Sequence, residues 1–163
     1  MAAVSVLDMP LTSSSPVTFS WAWGTEGGGQ TWYYYKGLLA LSLHASEKMA
    51  KGRIYKTKEY EWFKDIVQKH LPPIQYQGPI EIFLRLGFKH RGMVRDLDNC
   101  SKPLLDILQK KIILDDNQVF DAHWKKDVKA VEDYVYIEIK PYREEGLPIT
   151  RILDLTTNNF IPF

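Results

Sequence analysis

The chain has 163 residues, of which 45% are hydrophobic and 25% charged, enough for one domain with its own core and too apolar for a disordered chain. A net charge of +1 excludes a broadly basic nucleic-acid binder, so any such role must rest on local clusters. The single cysteine, Cys100, excludes an internal disulfide and a Cys-based zinc cluster, which fits a reducing intracellular compartment.

Residues 1–16 are rich in Ser, Thr and Pro, show little periodicity and read as a flexible lead-in. The opening MAAVSVLDMPLTSSS has no basic stretch followed by an apolar one, and the run LLALSL is far too short to cross a bilayer, so neither export nor membrane insertion is expected. VTFSWAW and TWYYYKG flank a Gly-rich stretch and predict a hairpin, with LLALSLH as a further strand. The glycine spacing of GTEGGGQT resembles a phosphate-binding loop. Gln30 stands where such a loop needs lysine, however, and a strand-like run follows in place of a helix, so it reads as a turn.

From Thr57, the positions of Tyr60, Phe63, Val67 and Leu71 predict a helix, capped by Thr57 and stopped by Pro72 and Pro73. PIEIFLRLGFK alternates strictly and predicts a strand with Ile80, Ile82, Leu84, Leu86 and Phe88 on one side. Leu104, Leu105, Leu108 and Ile112 predict a second helix over about 101–111. Pro103 is best tolerated in a first turn, which starts that helix near Ser101 and leaves Asp96 and Asp98 before it. QVFDAHW and DYVYIEIKPY read as a closing hairpin. Residues 143–163 end in apolar side chains and form a tail that could serve as an interaction arm.

The segment RDLDNCSKPLLDILQKKIILDD places Asp96, Asp98, Asp106, Asp115 and Asp116 around one apolar stretch. Clustered carboxylates repel unless a cation offsets them, so the pattern points to a metal. An EF-hand counted from Asp96 fails, because Cys100, Ser101 and Ile107 occupy its fifth, sixth and twelfth positions. Alternate residues Asp96 and Asp98 of an extended segment face one way, and either Asp115 or Asp116 could be brought back to them by the apolar run between. Taken singly, each aspartate also reads as a helix cap or turn former. Oxygen ligands without a histidine cluster favour Mg²⁺, with Mn²⁺ as a substitute. Lys48, Lys51, Arg53, Lys56, Lys89, Arg91 and Arg95 supply local positive charge for a phosphate backbone.

RDLDN, Lys102, Asp106 and the later DDNQV together resemble the signature of RusA-type Holliday junction resolvases, small DNA endonucleases found in phages and prophages. The resemblance spans about residues 38–140 and is most specific over 95–119; KGRIYKTKEY is similar to the family's basic loop. It implies a compact mixed α/β (α+β-like) unit with two main helices; with the N-terminal hairpin, which has no counterpart in the family, counted as an extension, the domain is expected over 17–142. It further implies Mg²⁺ bound by Asp96, Asp98 and Asp116, with Asp115 outside the ligand set, and Lys102 assisting catalysis. Asp106, four residues beyond Lys102, could fix that ammonium on a helix. Branched DNA, the four-way junction foremost, is the implied partner, and a homodimer the implied assembly. The competing reading is a non-catalytic junction-binding protein of the same fold.

Overall fold

In a computed structural model of the protein, residues 2–10, 16–36, 47–50, 53–56, 58–89 and 97–163 are described, by backbone alone at 2–10, 16–20, 47–50, 53–56, 59, 98 and 99. Strands β1 (Ala2–Pro10), β2 (Pro16–Glu26) and β3 (Gln30–Lys36) are followed by β4 (Glu47–Ala50), β5 (Arg53–Lys56) and helix α1 (Lys58–His70). Next come β6 (Ile74–Gln77), β7 (Ile80–Gly87), helix α2 (Leu97–Leu108), β8 (Val119–Asp127), β9 (Tyr134–Pro141), β10 (Arg151–Asp154) and β11 (Asn159–Ile161). A six-stranded sheet runs β1-β2-β3-β9-β7-β8. Only the β7–β8 pair in it is parallel. A three-stranded sheet, β11-β10-β6, and the β4–β5 pair complete the described strands. This is the mixed α/β architecture with two main helices that the resemblance implies.

The alternation of β7 becomes burial: Ile80, Ile82, Leu84 and Leu86 are at most 1% exposed, while Glu81, Phe83 and Arg85 are half-buried on the other face. Tyr33 and Tyr35 of β3 and Val135, Ile137 and Ile139 of β9 join the buried side. Tyr60, Phe63 and Val67 of α1, with Cys100, Leu104, Ile107 and Leu108 of α2, close over it. Both helices therefore cover one face of the large sheet. Tyr76 of β6 ties the smaller sheet to the larger, its hydroxyl donating to the Gly29 carbonyl at 2.5 Å and meeting Thr31 Oγ1 at 2.7 Å. Among the described residues, no helix is long and apolar enough to cross a membrane.

Several sequence expectations change. QVFDAHW and DYVYIEIKPY do not form a hairpin, because β7 lies between β8 and β9 and pairs with both. The most apolar strand takes the buried central place, and a parallel neighbour has to be reached by a crossover, here α2. Helix α2 begins at Leu97, a turn before the expected start, and ends at Leu108. Its buried stripe already includes Cys100, and Pro103 sits inside the helix at the cost of one backbone hydrogen bond. Asp98 therefore belongs to the first helical turn and not to an extended segment. Ala2–Pro10, read as a lead-in, pairs with β2 along its whole length. The β2–β3 hairpin forms as expected, through a turn with Gly28 at φ 75° and Gly29 at φ 79°. Thr57 and the strand expected at LLALSLH lie outside the described residues. Beyond Tyr142 the chain returns to the body, with β10 pairing to β6 and Ile152 only 4% exposed.

Candidate functional site

The apolar run after α2 drives Ile112 and Ile113 into the core, each 0% exposed, and delivers the chain to a 3-10 turn, Asp116–Gln118, at the start of β8. Asp115 caps that turn, its Oδ1 accepting from the Asn117 N–H at 3.0 Å. Gln118 closes the box from the other side: its Oε1 accepts from the N–H groups of Leu114 at 2.5 Å and Asp115 at 3.2 Å. Its Nε2 donates to the carbonyls of Tyr76 at 3.0 Å and Gly78 at 2.9 Å. Gln118 thus fastens the acidic turn to the end of β6 and the approach to β7. The sequence reading missed it, although the D-x-x-Q spacing of a capping box was there to find.

The two carboxyl groups of the turn are not equivalent. The Asn117 N–H, and then a hydrogen bond shared with Asp116, hold Asp115 below the usual carboxylate range. That shared bond pushes Asp116 up, with burial and the charges of Asp115 and Asp106 acting the same way. Asp106, half-buried on α2, is therefore a neighbour of Asp116. These carboxylates are oxygen donors that repel one another, the chemistry that suits a hard divalent cation such as Mg²⁺ or Mn²⁺, although among the described residues they do not bring three ligand atoms together.

Asp98, Lys102 and Asp106 follow at four-residue intervals along one face of α2, and Lys102 is exposed. Asp98 stands ten residues before the end of that helix, about 15 Å along its axis at 1.5 Å per residue, whereas Asp115 and Asp116 come after the end. Along the chain the helix thus stands between Asp98 and the turn that holds Asp115 and Asp116. Asp96, Arg91, Arg95 and Lys51 lie outside the described residues. Lys48, Arg53 and Lys56 fall on the β4–β5 pair, described by backbone only. Lys89 is exposed just after β7, its N–H donating to Asp133 Oδ1 at 2.9 Å.

A second group was not anticipated. Glu81 of β7 and Asp121 and His123 of β8 bring one ligand-type atom each within 4.8 Å of one another on the helix-free face of the sheet. Lys140 Nζ stands 3.1 Å from Glu81 Oε1, which makes this group an ion-pair network.

A helix pair over one face of a mixed sheet, with an acidic turn opening the parallel edge strand, defines a small α/β domain. The family model described as endodeoxyribonuclease RusA matches residues 44–140, and the chain belongs to that family. The crossover junction endodeoxyribonuclease RusA of Aquifex aeolicus (strain VF5) is 32% identical over 71 residues, 43% of this chain and 54% of that relative. The chain thus spans about half the length of the curated relative it matches.

Proposed function

We propose that this protein is a divalent-cation-dependent endonuclease that hydrolyses DNA phosphodiesters at branched structures, the four-way junction foremost, in recombination or repair of intracellular or phage DNA. Membership of the RusA family over 44–140 carries the reading, because that stretch contains both aspartate pairs and Lys102. Asp96, Asp98 and Asp116 would hold Mg²⁺. Bound there, the cation supplies Lewis acidity at the phosphate and lowers the pKa of water. Asp115 serves the turn as its cap, which leaves Asp116 the freer carboxylate and favours it as ligand. Lys102, exposed on the same face of α2 as Asp98, donates to the phosphoryl oxygens as negative charge develops on them.

The helix-length separation of Asp98 from Asp116 favours a homodimer in which one copy supplies the first pair and its partner the second. The helix-free sheet face is a candidate surface for pairing two copies. Trp32, Tyr34, Phe83, Tyr134 and Tyr136 lie half-buried on it and form an aromatic surface, with Tyr34 against Tyr134 and Phe83 against Tyr136. Toward one end are Glu81, Asp121 and Glu138, with Lys140; toward the other are Lys36, Arg85 and Lys125, with Asp127 and with Glu132, which pairs with Lys36 at 2.9 Å. A twofold axis between two such faces, running across the strands, sets each acidic end on a basic one and inverts the strand direction.

The test is a synthetic four-way junction incubated with and without Mg²⁺. Mg²⁺-dependent nicking is expected, and binding without nicking would favour the non-catalytic reading. Mixing inactive Asp98→Asn chains with inactive Asp116→Asn chains should restore nicking, since a mixed dimer regains one intact composite site. Failure of the mixture to cut, with dimers seen by sedimentation, would return both aspartates to one chain.

A further inference from the structure

Between α1 and the C-terminal end of α2 lies a cleft of about 480 Å³, lined in part by Lys64, Gln68, Asp106, Lys110 and Lys111. Lys64 is half-buried, and Lys110 and Lys111 are exposed. Among the described residues, none of these lysines forms an ion pair. The cleft opens beside the acidic turn: Asp106 lines it, and Lys111 precedes Asp115 by four residues.

The turn that presents Lys110 and Lys111 is firmly built. The N–H groups of Lys111 and Ile112 donate to the Leu108 carbonyl at 3.2 and 3.0 Å, Gln75 Nε2 donates to the Lys111 carbonyl at 3.3 Å, and Tyr76 N–H to the Ile112 carbonyl at 2.7 Å. Lys110 itself has φ 61°, the left-handed conformation in which helices usually end on glycine. A lysine kept where glycine would be unstrained, beside two more lysines and a carboxylate site, asks what its charge is for. A cleft of this size admits a ligand strand and not a folded partner.

We propose that the α1–α2 cleft is a phosphate-binding subsite, in which Lys64, Lys110 and Lys111 hold the sugar–phosphate backbone of the DNA strand beside the acidic turn. Gln68 is held in place at the cleft, with its Nε2 donating to the Ile107 carbonyl at 3.0 Å and its Oε1 turned to accept from a water on the backbone. Glu61 and Asp106 also line the cleft and keep its net charge modest, so the lysines act as local phosphate contacts within a near-neutral protein. The subsite rests on the reading of the protein as a DNA-junction enzyme and adds three lysines to the basic residues singled out in the sequence.

The experiment measures four-way-junction affinity across 50–200 mM salt without Mg²⁺, for wild type, Lys110→Gly, Lys64→Ala/Lys111→Ala and Lys64→Arg/Lys111→Arg. Each lost lysine should flatten the log–log salt slope by about 0.9 and weaken binding at low salt on the order of tenfold. Lys110→Gly should do so while raising the thermal midpoint, which separates lost charge from lost fold. The arginine pair should keep the wild-type slope. Wild-type affinity and slope in both Lys110→Gly and the alanine pair, with the wild type still nicking junctions, would overturn the subsite alone. A wild type that neither binds nor nicks any junction would remove the enzyme reading and the subsite together.

Discussion

Asp116→Asn is expected to lower junction nicking by about 10³-fold or more while leaving the protein folded and able to bind its DNA. The effect is on the scale of removing a group that acts on charge developing in the transition state. The fold should tolerate the change, because Asp116 is exposed and the capping contacts of the turn belong to Asp115 and Gln118. Binding should hold or tighten, since one negative charge facing the phosphates is gone. Lys102→Ala should cost less, on the order of 10²-fold, as expected of a single donor to developing oxyanion charge. Asp115→Asn is the informative control: asparagine caps as well as aspartate, so a residue that only caps should pass this substitution with most of its activity. Single-turnover nicking, gel-shift affinity and thermal melting on the same preparations check the set. Full nicking by Asp116→Asn, or an Asp115→Asn variant as dead as an empty control, would reassign the ligand.

Gln118→Leu should produce the largest loss of stability among single substitutions at the site, on the order of 4 kcal/mol. Gln118 is 9% exposed, and its amide serves two N–H groups and two carbonyls. Leucine keeps the volume and strands all four. Each buried backbone group left unpaired costs about 1–3 kcal/mol, reduced where water reaches it. In a domain of this length that corresponds to a midpoint lower by roughly 10 °C. Nicking should fall even where the variant is fully folded, because the turn that presents Asp116 has lost its attachment to β6. Urea unfolding beside nicking at a temperature below the transition separates the two effects. A variant within about 1 kcal/mol of wild type would mean that the turn holds itself together through Asp115.

Much of this was legible in the residues. The strict alternation over Ile80–Leu86 and the spacing of Tyr60, Phe63 and Val67 each report a local period that the core then enforces. The aspartate pairs and Lys102 could be singled out because their chemistry is conspicuous at close spacing. Pairing between distant segments was not legible. Nothing in QVFDAHW shows that β7 intervenes between it and DYVYIEIKPY, since the partner strand lies some 40 residues away. The open aromatic face was hidden for another reason: WYYY places rings on both sides of β3, so Trp32 and Tyr34, half-buried, cannot be told by letter from Tyr33 and Tyr35, which are buried. The start of α2 differs from the expectation because proline favours a first turn, whereas Cys100, before Pro103, already belongs to the buried stripe.

Helix α2 also acts as a spacer, and in the proposed dimer that sets how the activity responds to the amount of protein. On that proposal a solitary chain would hold its ligands on two incomplete half-sites. At concentrations below the dimer's dissociation constant, nicking should therefore rise with the square of the protein concentration, and become linear only once pairs predominate. A cell holding few copies would have almost no nuclease, and one producing many would have it abruptly. Such a threshold needs no inhibitor. It would guard unbranched chromosomes by distance alone, because a chain that finds DNA before it finds its partner arrives unarmed.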